Sequence, residues 1–507
     1  MSAGTDVGDH VRMPTPTQVP GPALNSPLAS VQHIVQVMLE NRSFDHMLGF
    51  LYPGKSGPGG QPFEGLLGTE SNNDTSGRPV TVFPIDSSSP NAYFMPGANP
   101  GEGYANTNVQ LFGSGSPPTP PTAKMTGFVI SFGSAITYDQ HAHQTVVPGT
   151  TAADIMGIFT PSALPVLSGL ARGFAVCDHW FSSVPTETMP NRAFACAATS
   201  QGHMSDATRS FTVQSIFGLM TAHKLSWKIY GYNAEPLTRS DFPDTLAAPD
   251  TSFGRFADFR ADAAAGRLPA YAFVEPDWSS TGNSEHPNYD VALGEAFLQQ
   301  VYQAVRGGPG WNQTLLIITY DEHGGCYDHV PPPTGATPPD KTVGEAGFDF
   351  ARFGVRVPAV LVSPLIREAT IFRAPPGSTP IDHTSVLKTI EKRFGLPALT
   401  ARDAAAPDLG GVLTLTTPRT DDPLAGVTAP TPAGHNPAAS EVSHLLSAHA
   451  DQVSDLQVPL SRLHDAPLLV NQRSPADFEH YIAARTAIWK TARAERDAPG
   501  RSAPESG

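Results

Sequence analysis

Short apolar runs that end in polar residues recur along the chain. Residues 34–39, Ile-Val-Gln-Val-Met-Leu, run into Glu40-Asn41, and residues 315–320, Leu-Leu-Ile-Ile-Thr-Tyr, run into Asp321-Glu322. Runs this short, and this rich in aliphatic and β-branched residues, are typical of buried strands. Similar runs occupy residues 174–177, 227–230, 272–274 and 359–362, with helical patterns between them. We therefore expect an α/β fold with a largely parallel sheet flanked by helices.

Two helices are predicted in more detail. The first has a capping residue at Asp382 or Thr384 and ends at Gly395. Its apolar face consists of Val386, Leu387, Ile390 and Phe394. The second lies near the C-terminus, and its apolar stripe consists of Phe478, Tyr481, Ile482, Ile488 and Trp489. We expect this stripe to dock on the main domain rather than to bind a partner.

The 507 residues divide into three parts. Residues 1–29 are rich in Pro and Gly and predict a disordered lead-in. Residues 30–415 contain the motifs and predict one large catalytic domain with loop insertions. Residues 416–507 predict a Pro- and Ala-rich extension with a terminal helix. The Pro-rich loop 331–340 follows Asp321-Glu322 closely, so it is a candidate rim over a site.

Composition narrows the classes of partner. The formal net charge is −15, which argues against nucleic acid and anionic membranes as main partners. No apolar run is long enough for a transmembrane helix, and residues 1–20 lack the apolar core of a signal peptide. We expect a cytoplasmic protein, or a secreted or periplasmic one if a signal has been removed. The three cysteines form no CxxC pair and predict buried, reduced thiols.

The polar ends of the two longest predicted strands suggest a metal site. Glu40, Asn41, Asp321 and Glu322 offer three carboxylates and one amide oxygen. The carboxyl ends of parallel strands are where open α/β sheets bind their ligands, and such oxygens suit one divalent ion such as Mg, Mn, Ca or Zn. Each pair alone is better explained by capping and salt bridges. The two pairs together favour a metal.

A threonine and several histidines complete the candidate chemistry. Pro190 fits the first turn of a helix, which places Thr188 at its start, where free N–H groups can hold a phosphate and an activated alkoxide. An ordinary helix cap is the alternative. His286, in a polar segment, is a candidate acid for a leaving group, although a lone loop histidine is more often a surface group. His323 and His329 are candidates to orient Asp321 and Glu322.

Five segments, in this order, resemble the bacterial phospholipase C and acid phosphatase family, whose plant relatives are the non-specific phospholipases C. They are Glu40-Asn41-Arg42-Ser43-Phe44-Asp45-His46, Thr188-Met189-Pro190-Asn191-Arg192, Glu285-His286-Pro287, Tyr320-Asp321-Glu322-His323-Gly324-Gly325 and Asp382-His383-Thr384-Ser385. The resemblance implies an alkaline-phosphatase-like fold and a metal held by Glu40, Asn41, Asp321 and Glu322. It implies that Thr188 is the nucleophile and also touches the metal, and that His286 contacts the phosphoryl group. We also expect Asn41, Glu102 and Arg192 to contact the substrate.

One position departs from the family pattern. Family members often carry a histidine in an Asp-Pro-x-His segment, and the best match here is Asn99-Pro100-Gly101-Glu102, with Glu102 at the histidine position. An anion there disfavours a phosphomonoester dianion and favours a substrate with a positive charge, such as a choline headgroup.

We therefore expect a metal-dependent phosphoric ester hydrolase that forms a phospho-threonine intermediate. A phospholipase C-type phosphodiesterase acting on a small-molecule or lipid-headgroup phosphoester is the favoured interpretation. The alternatives are an acid phosphatase of the same fold and an inactive protein that binds a phosphoryl ligand. The full set of metal-type residues argues against the last.

Overall fold

The computed structural model describes residues 26–207, 210–459, 462, 468, 469 and 472–497. Most of the predicted lead-in therefore lies outside the described residues. Its last residues enter a 3-10 helix, Pro27–Ser30, in which Leu28 is buried. The packed chain thus begins slightly before the predicted boundary.

Strands and helices alternate through most of the chain. The strands are β1 (His33–Leu39), β2 (Ser71–Asn73), β3 (Pro79–Thr81), β4 (Phe83–Ile85), β5 (Gly157–Phe159), β6 (Ala175–Val176), β7 (Trp227–Gly231), β8 (Phe253–Arg255), β9 (Tyr271–Val274), β10 (Thr314–Tyr320), β11 (Ala359–Val362) and β12 (Thr370–Ile371). The helices are α1 (Phe44–Leu48), α2 (Tyr104–Phe112), α3 (Phe128–Ala142), α4 (Pro165–Gly173), α5 (Thr188–Ala197), α6 (Ile216–Ala222), α7 (Pro243–Ala247), α8 (Phe256–Ala264), α9 (Val291–Gly307), α10 (Thr384–Phe394), α11 (Ala401–Ala405), α12 (His444–Ser454) and α13 (Pro475–Asp497).

The main sheet has eight strands in the order β12-β6-β11-β10-β1-β9-β7-β8. All neighbours run parallel except at β11, which is antiparallel to both β10 and β6. The two strands with the longest apolar runs, β1 and β10, lie side by side in the centre. Their register pairs Leu39 with Tyr320, so both chains leave the sheet at the same edge. The predicted α/β class, with a largely parallel sheet flanked by helices, is confirmed.

The central strands are apolar because helices cover the sheet. Every residue of β10, and every residue of β1 after His33, is buried. Helices α4 and α8 both pack on α9, and α5 packs on α6 and α10. Burial on both faces leaves no solvated side to carry alternating polar residues, which explains the continuous apolar runs.

The helix predicted after residue 382 is confirmed as α10. Asp382 Oδ1 accepts a hydrogen bond from the backbone N–H of Thr384 at 3.1 Å, and Gly395 ends the helix at φ 69°. The predicted apolar positions Val386, Leu387 and Ile390 are fully buried. The three cysteines, Cys177, Cys196 and Cys326, are buried and free, as predicted.

The C-terminal extension docks on the main domain, as the stripe on α13 predicts. Tyr481, Ile482 and Trp489 form a cluster with residues of α12, and Leu246 packs against it. The guanidinium of Arg239 lies 4.9 Å from the centroid of the Trp489 ring. Among the described residues, no helix combines the length and apolar character needed to cross a bilayer.

The Pro-rich loop 331–340 packs Ala336 against Phe181 and Phe353. Its far end contacts α11, because the backbone N–H of Ala401 donates to Pro339 O. Its role as a rim over the site stays a prediction.

Candidate active site

The ends of β1 and β10 bring the two predicted acidic pairs together. The backbone N–H of Asn41 donates to Asp321 Oδ1 at 2.9 Å. Asn41 has φ 58°, a left-handed conformation that asparagine adopts more readily than most residues. This backbone turn lets Glu40 and Asn41 leave the sheet beside Asp321.

The segment Thr188-Met189-Pro190-Asn191-Arg192 forms the start of α5. Asn191 Nδ2 donates to the carbonyls of Thr186 and Glu187, at 2.9 and 3.0 Å. Asn191 Oδ1 also accepts from the backbone N–H of Val184 at 3.1 Å. The side chain therefore holds the loop before the helix, and Thr188 is the first helical residue.

Arg192 ties α5 to the sheet edge. Its Nε donates to Asp321 Oδ2 at 3.0 Å, and one terminal nitrogen donates to the carbonyls of Met38 and Leu39. Its other terminal nitrogen is buried and has no hydrogen-bond partner among the described residues. The contacts assign Arg192 a positioning role, and its predicted contact with substrate stays a prediction.

Thr188 contacts the acidic edge through Asn41. Thr188 Oγ1 donates to Asn41 Oδ1 at 3.1 Å, and Asn41 Nδ2 donates to Glu102 Oε2 at 2.6 Å. The backbone N–H of Met189, in the first turn of the helix, donates to Asp206 Oδ1 at 2.7 Å. A carboxylate therefore occupies the helix N-terminus that the sequence predicts as a phosphate cradle.

His286 and Glu102 face each other beside this threonine. His286 Nε2 lies 3.9 Å from Glu102 Oε2. Arg42 fixes the backbone here, because its guanidinium donates to Glu285 O at 2.6 Å and to His286 O at 3.3 Å. The segment that contains Arg42 therefore positions the segment that contains His286.

His444 and Asp206 are site residues that the sequence analysis missed. His444 is the first residue of α12, in the extension, and its Nε2 lies 3.4 Å from Asp206 Oδ2 and 4.0 Å from Glu40 Oε1. Its ring centroid is 5.1 Å from that of His286. Neither residue belongs to a motif, and nothing in the sequence distinguishes His444 from the other four histidines of the extension.

The crowded carboxylates shift one another's pKa values. Burial, followed by repulsion from Asp321, raises the pKa of Glu40 to about 8. Burial, followed by repulsion from Asp206, raises the pKa of Glu187 to about 7. Burial also raises the pKa values of Glu102 and Glu322 well above their usual range. The sequence analysis treated Glu102 as an anion, and burial and the neighbouring carboxylates oppose that ionisation unless a cation is bound nearby.

The acidic cluster fits a bound cation. Glu40 Oε1 and Glu322 Oε1 are buried and have no hydrogen-bond partner among the described residues. A divalent ion here would compensate both atoms and lower the raised pKa values again. Within the described chain, the three groups of His, Cys, Asp and Glu whose ligand atoms lie within 4.8 Å of one another are Glu40-His286-His444, Glu102-Asp206-His444 and Asp45-Asp328-His329. The predicted ligand set of Glu40, Asn41, Thr188, Asp321 and Glu322 stays a prediction.

The two histidines predicted to orient the carboxylates behave differently. His323 Nδ1 lies 3.2 Å from Glu322 Oε2, in agreement with the prediction. For His329 the prediction is wrong, because its Nδ1 lies 2.6 Å from Asp45 Oδ2. Asp45 and Asp328 both pair with the fully buried Arg356, so this third metal-like group is an internal ion-pair network.

Comparison with known proteins identifies the family. The model of the Phosphoesterase family matches residues 31–397. The chain belongs to the phosphoesterase family. This phosphoesterase is 37% identical over 397 residues to non-specific phospholipase C1 of Arabidopsis thaliana, covering 74% of this chain and 69% of that one. It is 35% identical over 419 residues to non-specific phospholipase C6 of the same plant, covering 78% and 74%.

A bacterial relative is more distant. Phospholipase C A of Mycobacterium tuberculosis (strain ATCC 25618 / H37Rv) is 27% identical over 437 residues, covering 77% of this phosphoesterase and 78% of that chain. These similarities, with the family match, show a phosphoric ester hydrolase, and the predicted resemblance is confirmed. Among solved structures, a protein of the alkaline phosphatase superfamily from Vibrio parahaemolyticus aligns with a TM-score of 0.29 at 12% identity, over 49% of this chain and 65% of that one.

Proposed function

We propose that this chain is a metal-dependent phosphodiesterase of the phospholipase C type, and that Thr188 is its nucleophile. The observation that carries the proposal is the position of the Thr188 hydroxyl. It lies in the first turn of α5, 3.1 Å from Asn41 Oδ1, beside the carboxylates at the ends of β1 and β10. A buried hydroxyl at a helix N-terminus within an acidic cluster suits attack on a phosphorus atom.

The reaction proceeds in two displacements. Thr188 Oγ attacks phosphorus, the Oγ–P bond forms, and the bond from phosphorus to the leaving alcohol breaks. The alcohol takes up one proton for the one that Thr188 gives up. Water then attacks the threonine-bound phosphoryl group and releases the phosphorylated headgroup, which regenerates the hydroxyl.

The chain supplies orientation and charge for these steps. Asn41 Oδ1 aims the Thr188 hydroxyl, and Asn41 itself is held by Asp321 and Glu102. The N–H of Met189 is a donor for a phosphoryl oxygen once that oxygen displaces the Asp206 carboxylate. A divalent ion held by Glu40, Asn41, Asp321 and Glu322 would lower the pKa of the hydroxyl and polarise a phosphoryl oxygen.

The preference for diesters has two supports. The plant and mycobacterial relatives bear the name phospholipase C, an activity on phosphodiesters. In addition, Glu102 adds a carboxylate beside His286 and Asn41, and a cation bound in the cluster would favour its ionised form. A diester carries one negative charge fewer than a monoester, so this anion repels it less.

The comparison of two chromogenic esters tests the substrate class. We expect a higher kcat/KM for p-nitrophenyl phosphorylcholine than for p-nitrophenyl phosphate at the same pH and metal concentration. Chelation should abolish both activities, and added divalent metal should restore them. A preference for the monoester would make the acid phosphatase interpretation the better one, and no turnover of either ester would favour a binding protein.

Replacing Glu102 tests the charge argument. Glu102→His should raise the ratio of kcat/KM for the monoester to that for the diester by about tenfold. The substitution removes a negative charge that repels the dianionic monoester more strongly than the diester. The matched control is Glu368→His, which makes the same change on the exposed surface and should leave the ratio unchanged. An unchanged ratio in Glu102→His would mean that this side chain does not face the phosphoryl group.

A further inference from the structure

Five side chains converge beside Thr188 in an arrangement that the predicted metal site does not explain. Glu40, His286 and His444 place one ligand atom each within 4.8 Å of one another, and so do Glu102, Asp206 and His444. His444 belongs to both groups. The pair His286 Nε2 and Glu102 Oε2, 3.9 Å apart, also joins them. Two imidazoles and three carboxylates thus form one continuous cluster.

His286 presents an unused lone pair to this cluster. Its Nδ1 lies 3.0 Å from Pro287 O, and a carbonyl only accepts, so Nδ1 carries the proton. In the neutral ring, Nε2 is therefore the nitrogen that carries the lone pair. The side chain is only 3% exposed, and Nε2 has no hydrogen-bond partner among the described residues. Glu40 Oε1, in a side chain 1% exposed, is likewise unpartnered within the described chain.

The C-terminal extension is fastened so that His444 enters the cluster. Ser443 Oγ caps α12 by accepting from the N–H of Leu446 at 3.1 Å, and it donates to Trp278 O. Two residues before Ser443, Glu441 O accepts a hydrogen bond from Ser280 Oγ at 2.8 Å. Both anchors lie between β9 and His286. The segment that bears His286 therefore also holds His444.

Each measured separation between these atoms fits a pair of ligands that share one ion. Two ligand atoms that are each about 2.1 Å from a common divalent ion lie about 3–4 Å apart in tetrahedral or octahedral geometry. The separations are 3.4 Å for His444 Nε2 and Asp206 Oδ2, 4.0 Å for His444 Nε2 and Glu40 Oε1, and 3.9 Å for His286 and Glu102. The side chain of His444 is 31% exposed, which provides an entry path.

We propose that His444, with Glu40 and His286 in one group and Glu102 and Asp206 in the other, forms a mixed nitrogen and oxygen site for a divalent transition-metal ion or Zn²⁺. The two imidazoles distinguish this site from the all-oxygen set predicted from the sequence, since nitrogen ligands favour such ions over Mg²⁺ and Ca²⁺. Glu40 is common to both sets. The third metal-like group, around Asp45, carries no such proposal because Arg356 already neutralises it.

This inference deepens the proposed function, because the site adjoins Asn41 and Thr188. It replaces the role of acid that the sequence suggested for His286 with that of a metal ligand. It also makes the extension a part of the site, because one ligand comes from α12.

The test is a titration of the full-length, chelator-treated protein with Co²⁺, read by visible absorption and calorimetry. We expect His444→Ala and His286→Gln each to remove one bound equivalent of Co²⁺ or to weaken it at least about tenfold. The matched control, His435→Ala, changes an exposed histidine of the same extension and should bind as the wild type does. The melting temperature of every variant in the presence of chelator should equal that of the wild type, which would show that the fold is intact.

X-ray absorption at the cobalt edge supplies the second readout. The wild-type spectrum should contain imidazole scattering, and His444→Ala should reduce it. Unchanged Co²⁺ affinity, stoichiometry and imidazole scattering in both His444→Ala and His286→Gln would overturn the proposal. Binding with the expected losses in a protein that hydrolyses neither ester would support this site and refute the proposed function.

Discussion

Thr188→Ala should lower kcat/KM for p-nitrophenyl phosphorylcholine by on the order of 10⁴-fold or more, as expected when a covalent nucleophile is lost. The hydroxyl is buried and donates to Asn41 Oδ1, so Thr188→Ala removes the oxygen that Asn41 orients. Thr188→Ser keeps the oxygen and should retain partial activity. Steady-state kinetics with both variants measure the effect.

Two controls separate chemistry from folding. Thr342→Ala removes an exposed hydroxyl and should leave kcat/KM unchanged. The melting temperature of Thr188→Ala should stay close to that of the wild type, because only one hydrogen bond is lost. In a quenched reaction, mass spectrometry should find the phosphorylated headgroup on the Thr188 peptide. Near-normal turnover by Thr188→Ala would show that another group attacks phosphorus.

Arg356→Ala should destabilise the fold by about 3–5 kcal/mol, because it leaves two buried carboxylates without their counter-charge. Arg356 is fully buried, with Nη2 2.8 Å from Asp45 Oδ1 and Nε 3.0 Å from Asp328 Oδ1. Its Nη1 also donates to Glu64 O and Asp178 O at 2.9 Å. Urea unfolding followed by circular dichroism measures the loss.

The matched control is an exposed arginine. Arg78 pairs with Asp74 at 2.9 Å, but its side chain is 81% exposed, so Arg78→Ala should cost about 0–1 kcal/mol. If Arg356→Ala fails to express, the conservative Arg356→Lys should fold and show a smaller loss of stability. Equal stabilities for Arg356→Ala and the wild type would show that the network contributes nothing.

The central strands of the sheet could be predicted from the sequence because their apolar pattern matches their burial in the folded protein. Residues 34–39 and 315–320 are apolar except for Gln36 and Thr319, as expected for strands that are buried on both faces, and they pair as β1 and β10. The acidic residues that follow them then meet, because parallel strands end at one edge of a sheet. The antiparallel direction of β11 could not be read in the same way, since its four buried residues are apolar whatever its direction.

The missed residues depend on long-range packing. Asp206 reaches the start of α5 through a loop, and His444 arrives from an extension more than a hundred residues beyond the last strand of the site. Neither has a local pattern that distinguishes it from a surface residue. The wrong assignment of His329 has a similar origin, because its nearness to Asp321 in sequence does not show that it turns towards Asp45.

Asn41 has a left-handed backbone conformation and also takes part in the proposed reaction. The amino acids that folding tolerates at position 41 therefore overlap with, but differ from, those that the reaction tolerates. In a library with every residue at this position, folding alone should enrich Asn, Asp and Gly, which tolerate positive φ best. Selection for hydrolysis should retain only Asn of these three, because its side chain both accepts a hydrogen bond from Thr188 and donates one to Glu102. Asp lacks the donor and Gly lacks both groups. Library members that fold but do not hydrolyse the ester therefore separate, at this one position, the requirement of the fold from the requirement of the reaction.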